Sequence, residues 1–218
     1  MAENNNKFMD NKKISDVTLD QLMTEYLNNT SELKDLDNIS ERYDTINRVL
    51  LLNGIDEAVG DAITHLIRMW NMADKGIPVE ERVPIKLFID SSGGDLTSAL
   101  MMADAITLSK TPVYTINMGT AYSGGLLVFV TGHKRYSFPS ASFLFHEGST
   151  SLGSIDAGKF KNYAGYYSNL IDRMKNYIIK NTKVDEELYK EKSRDDWWFF
   201  VDEAIELGFC DEIITEFI

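Results

Sequence analysis

The chain contains a repeated unit in which a strand-like run is followed by a short turn and then by a helix-like run. The unit occurs at 83–108 and at 112–131, and the pattern at 48–72 indicates a third copy. Each copy passes from an apolar run to apolar residues at helical spacing. Repeated strand–helix units pack as a mostly parallel sheet with helices on its faces, joined by right-handed crossovers. The pattern therefore predicts an α/β fold.

Two of these units have glycine-rich turns where the strand ends. The first turn is Ser91-Ser92-Gly93-Gly94-Asp95, and the second is Gly119-Thr120-Ala121-Tyr122-Ser123-Gly124-Gly125. Sites in open α/β sheets form at the carboxyl ends of the strands, so the two turns are expected to face each other. Gly-Gly also marks an ordinary tight turn. A phosphate site is disfavoured, because neither the dinucleotide-binding nor the Walker pattern is present.

Ser123 lies between a strand and a helix and has small neighbours. Such a turn exposes a hydroxyl beside free backbone N–H groups, which is the geometry of a nucleophilic serine, although the string also fits an ordinary turn. His146 ends an apolar strand and opens a Gly/Ser-rich loop, so it can project into the same site. The other two histidines, His65 on a helix and His133 on a polar turn, are expected to be structural.

The acidic pair Asp195-Asp196 supplies the carboxylate that a serine nucleophile requires. Serine needs a histidine to take its proton, and the histidine needs a carboxylate to orient the imidazole and stabilise its cation. Donors for the developing oxyanion are also required, and backbone N–H groups at the two glycine turns can supply them. The residues predicted to form the site are Ser123, His146, one of the two aspartates, Gly94 and Gly124.

The composition limits the classes of function. The 218 residues are 44% hydrophobic, which allows a sizeable core in one large domain or two small ones. A net charge of −12 argues against nucleic-acid binding. No apolar run reaches the roughly 18 residues of a membrane span, and the first residues do not resemble a secretory signal. Cys210 is the only cysteine, which fits a reducing cytoplasm.

The two ends of the chain differ in character. The polar, Asn-rich stretch 1–40 is interpreted as an N-terminal arm, and 41–218 as the folded domain. A long helical pattern over 154–182 would extend about 40 Å at roughly 1.5 Å per residue, more than a domain of this size requires. This helix is a candidate for contact with another subunit. The alternative is that it packs across its own sheet.

Four segments of the chain resemble the Clp protease proteolytic subunits (ClpP), over about 46–214. The segment F-I-D-S-S-G-G-D is similar to the family's I-N-S-P-G-G, and G-T-A-Y-S-G-G is similar to its G-x-A-x-S-M-G serine turn. F-L-F-H-E-G resembles the family's histidine segment, and D-W-W-F-F-V-D-E-A-I-E-L-G resembles the segment that carries its acid. The four motifs occur in the order that the family shows.

The resemblance implies a fold and a mechanism. The fold would be a ClpP/crotonase-like spiral of strand–turn–helix units with a long protruding helix. The activity would be that of a serine endopeptidase with a Ser-His-Asp triad. Carried over to this sequence, Ser123 is the nucleophile, His146 the general base and Asp196 the orienting acid. The backbone N–H groups of Gly94 and Gly124 form the oxyanion hole.

The sequence departs from the family pattern around these residues. Ungapped counting selects Asp196 as the acid, and Asp195 then occupies the place of a family arginine that helps to join two rings. A slip of one residue would make Asp195 the acid. Tyr122 replaces a small residue and is expected to narrow the site, and Glu147 follows the histidine where the family has glutamine.

The resemblance also implies partners. The assembly would be a homo-oligomer of two stacked heptamer rings, a tetradecamer with a closed chamber and with the long helix between the rings. An AAA+ unfoldase would supply unfolded protein substrates. No cofactor, metal, nucleic acid or membrane is implied. The acidic chain, in which no secretory signal is recognised, fits a bacterial cytoplasm, including that of a phage-encoded copy. Two alternatives are a crotonase-type acyl-CoA enzyme and a catalytically inactive ring subunit or scaffold.

Overall fold

The structure, a computed structural model of the chain, describes residues 44–148 and 156–216. The chain divides into two units, 1–49 and 50–218. The arm predicted over 1–40 lies outside the described residues. The elements are β1 (Val49–Leu52), α1 (Glu57–Ala73), β2 (Ile85–Ser91), α2 (Leu96–Leu108), β3 (Val113–Tyr122), α3 (Gly124–Val130), β4 (Lys134–Ser137), β5 (Ser142–Phe145), α4 (Ala157–Asn181), α5 (Glu186–Lys192), β6 (Trp197–Phe200), α6 (Val201–Glu206) and β7 (Glu212–Ile213).

The strands form one sheet with the order β1-β2-β3-β4-β7, and β5 pairs with both β3 and β6. β3 runs parallel to β2, β4 and β5, and β4 runs parallel to β7. The pair β5–β6 is antiparallel. The α/β class with a mostly parallel sheet, predicted from the repeated units, is confirmed.

The central strand β3 changes partner along its length, pairing first with β4 and then with β5. At the change the β2–β3 register shifts between Ile89 and Ser91. The carboxylate of Asp90 satisfies the displaced backbone there, because Asp90 Oδ1 accepts hydrogen bonds from Thr120 N at 3.0 Å and Thr120 Oγ1 at 2.8 Å. The strand thus continues to Tyr122, beyond the end expected from its sequence, and delivers the next residue to the sheet edge.

The helices begin where the sequence provides caps. Each of α1, α2, α4 and α5 follows an aspartate whose side chain accepts a hydrogen bond from the N–H three residues further on. These aspartates are Asp56, Asp95, Asp156 and Asp185. Such a cap is worth about 1 kcal/mol. The helix α3 is buried on all sides and forms the centre of the core.

The helix α4 packs on the domain through its C-terminal half. It contacts α2 and α3, and its two buried residues are Met174 and Ile178. Phe160 and Tyr166, in the other half, are more than half exposed. With 25 residues the helix is about 37 Å long. None of the helices in the described ranges is long and apolar enough to cross a membrane.

The C-terminal region adds the short strands β6 and β7. The four aromatic residues at 197–200 form β6, in which Trp197 and Phe199 are buried and the other two rings are exposed. The apolar–polar alternation that usually predicts a half-buried strand is missing from this stretch of the sequence, because all four residues are apolar. The strand β7 consists of Glu212–Ile213 in the part that the structure describes.

Arg135 joins three separate segments at the edge of the sheet. Its guanidinium binds the carboxylate of Asp211 through two nitrogens. It also donates to the carbonyl oxygens of Asn181, at 2.6 Å, and Gly208, at 2.7 Å. The fork of five N–H donors therefore fixes the end of α4 and the loop after α6 to β4.

Replacing Arg135 with lysine should lower the free energy of unfolding by about 2 kcal/mol, because one ammonium cannot satisfy all of these acceptors. Urea denaturation measures the change. The matched control is Lys134→Gln on the same strand, where the side chain is exposed and the loss should be below about 0.5 kcal/mol. Equal losses in the two variants would show that the Arg135 contacts do not hold the segments together.

Cys210 is a buried thiol near the same edge. Its sulfur donates towards the carbonyl oxygens of Arg135 and Glu212, each at 3.4 Å. Burial is the main cause that raises the pKa of the Cys210 thiol, to about 11 from an ordinary value of 9.0. A proton held more tightly in the folded state stabilises the fold below pH 9, and this contribution is lost as the pH rises through about 11.

The unfolding free energy of the wild type should therefore fall between pH 9 and about 11 by roughly 2 kcal/mol more than that of Cys210→Ala. Denaturation curves at pH 8, 9, 10 and 11 give both profiles. Titratable groups present in both proteins contribute equally to the unfolding free energy, so their contributions cancel in the difference between the two profiles. Parallel profiles over this range would mean that the folded and unfolded thiols titrate alike.

Candidate active site

Ser123 occupies a sharp turn between β3 and α3. Its backbone has φ 53° and ψ −120°, a conformation that favours glycine, and its side chain does not cap the helix that follows. The N–H of Ser123 donates to the carbonyl oxygen of Leu144 at 2.9 Å, so the turn is fixed to β5. A non-glycine residue in such a conformation costs on the order of 1–3 kcal/mol. The Ser123 hydroxyl therefore makes no capping hydrogen bond to α3 and lies at the carboxyl edge of the sheet.

The glycine turn after β2 lies directly against the serine turn. A Cβ atom on Gly93 would come within 2.7 Å of Tyr122 O and 2.8 Å of Ser123 Cβ, and one on Gly94 would overlap Ile55 O. Both glycines have positive φ, 92° and 146°. Glycine is therefore required twice over, by the backbone conformation and by the space.

The two turns present a pair of free backbone donors. Within 44–148 and 156–216, the N–H groups of Gly94 and Gly124 donate to no protein acceptor. The groups are adjacent, since a Cβ on Gly124 would lie 3.7 Å from Gly94 N. The Gly124 N–H is also the first of the helix α3, where the macrodipole favours negative charge. This arrangement can bind an oxyanion.

The antiparallel pair β5–β6 brings a histidine and an aspartate together. In its register Phe145 lies opposite Trp197, so the residues just beyond them, His146 and Asp196, face each other. His146 Nδ1 lies 3.3 Å from Asp196 Oδ1. Contact through Nδ1 leaves Nε2 as the ring nitrogen available to another group.

The same register separates the two candidate aspartates. Asp195 is one position further from the pair and lies outside β6, in the bend before the strand. The carboxylate that contacts His146 is that of Asp196. A one-residue slip would also exchange the buried and exposed rings of β6, exposing Trp197 and Phe199.

Ser123 and His146 line one cleft of about 370 Å³. The cleft is bounded by the glycine turn, the start of α2, the loop after β5 and one face of α4. Its remaining lining residues are Ser92, Gly94, Asp95, Leu96, Thr97, Gly124, Glu147, Gly148, Tyr163, Tyr166, Tyr167, Leu170 and Met174. Asp196 is not among them and lies behind the imidazole, half exposed.

Sequence reasoning did not assign the α4 side chains to this site. Tyr163, Tyr167 and Leu170 recur at helical spacing on one face of α4, and that face borders the cleft. The spacing was a recognisable signal, but periodicity does not tell which surface a helix covers. The exposed ring of Tyr166 also lines the cleft.

Three other expectations concern residues near the site. Tyr122 does not narrow the cleft, because its hydroxyl bonds Ser142 Oγ at 2.7 Å and its ring packs against Trp198. The structural role expected of His133 is confirmed, since its Nδ1 accepts a hydrogen bond from Val113 N at 3.1 Å. His65 lies on α1, where its Nδ1 is 3.3 Å from an Arg68 nitrogen.

Together these features define a class of protein. It is an α/β protein in which a strained serine, a histidine–aspartate pair and two free amides gather at the carboxyl ends of neighbouring parallel strands. The family model for Clp protease matches residues 33–217 of this sequence. The chain belongs to the Clp protease family.

Curated relatives agree with the family match. The chain is 29% identical to ATP-dependent Clp protease proteolytic subunit 2 of Tropheryma whipplei, over 77% of this chain and 91% of that protein. It is 23% identical to the protein of the same name from Treponema denticola, over 86% and 94% of the two chains. The corresponding protein of Pseudomonas aeruginosa is 26% identical, over 78% and 82%.

A solved structure shows the same fold. A mutant of ClpP1 from Listeria monocytogenes superposes with a TM-score of 0.66 at 22% identity, covering 79% of this chain and 94% of that one. The ClpP/crotonase-like architecture implied by the sequence resemblance is therefore confirmed.

The strain at Ser123 predicts an unusual effect on stability. Ser123→Gly should be more stable than Ser123→Ala by about 1 kcal/mol, because relief of 1–3 kcal/mol of strain exceeds the 0.5–1 kcal/mol entropic cost of glycine. Thermal unfolding of both variants measures the difference. The same pair at Ser140, an exposed residue outside the positive-φ region, should show the opposite order. If the glycine variant were the more stable one at both positions, the result would contradict strain at Ser123.

Proposed function

We propose that this protein is the proteolytic subunit of an ATP-dependent Clp-type protease. It is a serine endopeptidase that cleaves unfolded proteins and peptides to short peptides. One observation carries the proposal: the strained Ser123 shares a cleft with His146, whose Nδ1 contacts Asp196. This combination of hydroxyl, imidazole and carboxylate is the constellation of serine hydrolases.

The proposed reaction has two halves, formation of an acyl-enzyme and its hydrolysis by water. His146 Nε2 takes the proton of Ser123 as Oγ attacks the peptide carbonyl, and Asp196 stabilises the imidazolium through Nδ1–H. The oxyanion is held by the N–H groups of Gly94 and Gly124. The C–N bond then breaks, and the imidazolium gives its proton to the leaving amine. Water, deprotonated by the imidazole, hydrolyses the acyl-enzyme and restores the serine.

The hydroxyl and the imidazole are not yet in their reacting positions. In the described ranges no hydrogen bond joins Ser123 Oγ to the His146 ring. Bonds of this kind are often long in free enzymes and tighten in the complex with substrate. Rotation of the serine side chain in a cleft that is otherwise assembled is the smallest change that would form the bond.

The proposal includes an assembly and a partner. The relatives are named as subunits of an ATP-dependent protease, which supports a double-ring tetradecamer fed by an AAA+ ATPase. The exposed half of α4, with Phe160 and Tyr166, is the surface proposed for contact between rings. A bacterial cytoplasmic location is part of the same proposal, and the single free cysteine, Cys210, is compatible with it.

The acyl-CoA alternative is set aside by membership of the Clp protease family. The inactive-scaffold alternative is addressed by the same experiment as the protease. A scaffold would assemble without reacting at Ser123, whereas a protease reacts there.

A fluorophosphonate should label the wild-type protein at Ser123, as identified by mass spectrometry, and should not label Ser123→Ala. Asp196→Asn should lower kcat/KM for peptides by about 10²- to 10⁴-fold, because the wrong imidazole tautomer is then favoured. The control is Asp195→Asn, an identical change one residue away, which should stay within about twofold. Native mass spectrometry of the same samples gives the ring size.

Loss of activity in Asp195→Asn with retention in Asp196→Asn would reverse the assignment of the acid. Absence of an adduct, together with unchanged peptide cleavage by Ser123→Ala, would reject the serine mechanism. An assembled oligomer that neither labels nor cleaves would select the scaffold.

A further inference from the structure

The cleft beside Ser123 carries negative charge from two sides. Asp95 lies at its glycine-turn end and Glu147 on the loop after β5. Asp95 also caps α2, accepting the Ser98 N–H at 2.7 Å through one oxygen, which leaves the second oxygen for another partner. Glu147 is partly buried, so its charge is less screened than that of a surface carboxylate.

The described residues that line the cleft include no lysine or arginine that could offset these two carboxylates. Those residues therefore carry a formal charge of −2, from Asp95 and Glu147, when His146 is neutral.

The negative charge extends behind the cleft. Burial first, and then the charges of Glu147, Asp172 and Glu186, raise the pKa of the Tyr189 hydroxyl. Of these carboxylates, Glu186 pairs with Lys175 at 3.2 Å. Glu147 lines the cleft, and its charge also acts on the buried tyrosine behind it.

The opposite wall of the cleft consists of aromatic rings. The rings of Tyr163 and Tyr167 stack with centroids 6.3 Å apart, and Tyr166 is next to Tyr163 on the same helix. The Tyr167 hydroxyl would lie 3.2 Å from a Cβ on Gly148, so this ring reaches across to the loop that carries Glu147. Aromatic faces attract ammonium and guanidinium groups, and their methylene stems pack against the same rings.

We propose that this cleft selects a lysine or arginine side chain on the residue that supplies the attacked carbonyl group, with Glu147 and Asp95 as the specificity-determining residues. The inference rests on the proposed protease function and names the substrate class of that site. The attacked carbonyl must lie between Ser123 Oγ and the N–H groups of Gly94 and Gly124. The side chain of the same residue branches from the next carbon atom, so the cleft that begins at Ser123 is its receptacle.

A matched set of fluorogenic peptides tests the proposal on the full-length, assembled protein. The peptides differ only in the residue before the scissile bond, which is lysine, norleucine or glutamate. Norleucine keeps the length of the lysine stem and removes its charge. The wild type should prefer lysine to norleucine by about tenfold in kcat/KM, with glutamate the poorest substrate, and the preference should shrink at high salt.

Two variants test whether Glu147 and Asp95 cause the preference for lysine. Glu147→Gln should reduce the lysine-to-norleucine ratio by about fivefold, and Asp95→Asn should reduce it while keeping the cap of α2, because asparagine caps helices as well as aspartate does. The matched control is Glu187→Gln, an exposed position on α5 outside the cleft, which should leave the ratio unchanged. The ratio is informative even where a variant lowers the absolute rates.

The possible outcomes distinguish a failure of this substrate assignment from a failure of the proposed protease function. Labelling of Ser123 with cleavage of the norleucine peptide, but no preference for lysine, would overturn the substrate class and leave the protease standing. A lysine preference that survives both cleft variants would overturn the assignment to Glu147 and Asp95. No labelling and no cleavage of any peptide would reject the protease and the substrate class together.

Discussion

The site depends on the close approach of two backbone turns at the carboxyl edge of the sheet. Gly93 can lie against Tyr122 and Ser123, and Gly94 against the backbone of Ile55, only because neither glycine has a Cβ atom. That contact places two free N–H groups side by side, one from each turn. It also lets the residue at 123 remain in a conformation that glycine would normally occupy. The pair of free amides and the strained serine turn are thus consequences of one packing constraint.

A second constraint sets the other half of the site. Among the strand pairs whose register is assigned in the described residues, only β5–β6 is antiparallel, and it brings the start of β6 to the end of β5. Because Phe145 pairs with Trp197, the next residues on the two strands, His146 and Asp196, must meet. The buried faces of the aromatic residues in β6 hold this register, so core packing decides which carboxylate reaches the imidazole.

The helix α4 connects the core to the cleft that Ser123 and His146 line. Its C-terminal half is anchored by Met174 and Ile178, and its middle turns present tyrosines to the cleft. One rigid element therefore supports both the fold and the proposed specificity. Glu147, immediately after the histidine, adds a negative charge where the family pattern has glutamine. The same loop thereby carries the proposed general base and a group proposed to select the substrate.

The sequence by itself determined the α/β class, both glycine turns and the serine and histidine that share the cleft, because strand and helix periods and turn residues are local properties. It left Asp195 and Asp196 unresolved and did not reveal β6. It also misjudged Tyr122, whose ring packs away from the cleft. Those points were decided by tertiary structure, since strand register and the facing of a side chain depend on contacts between segments distant in the chain.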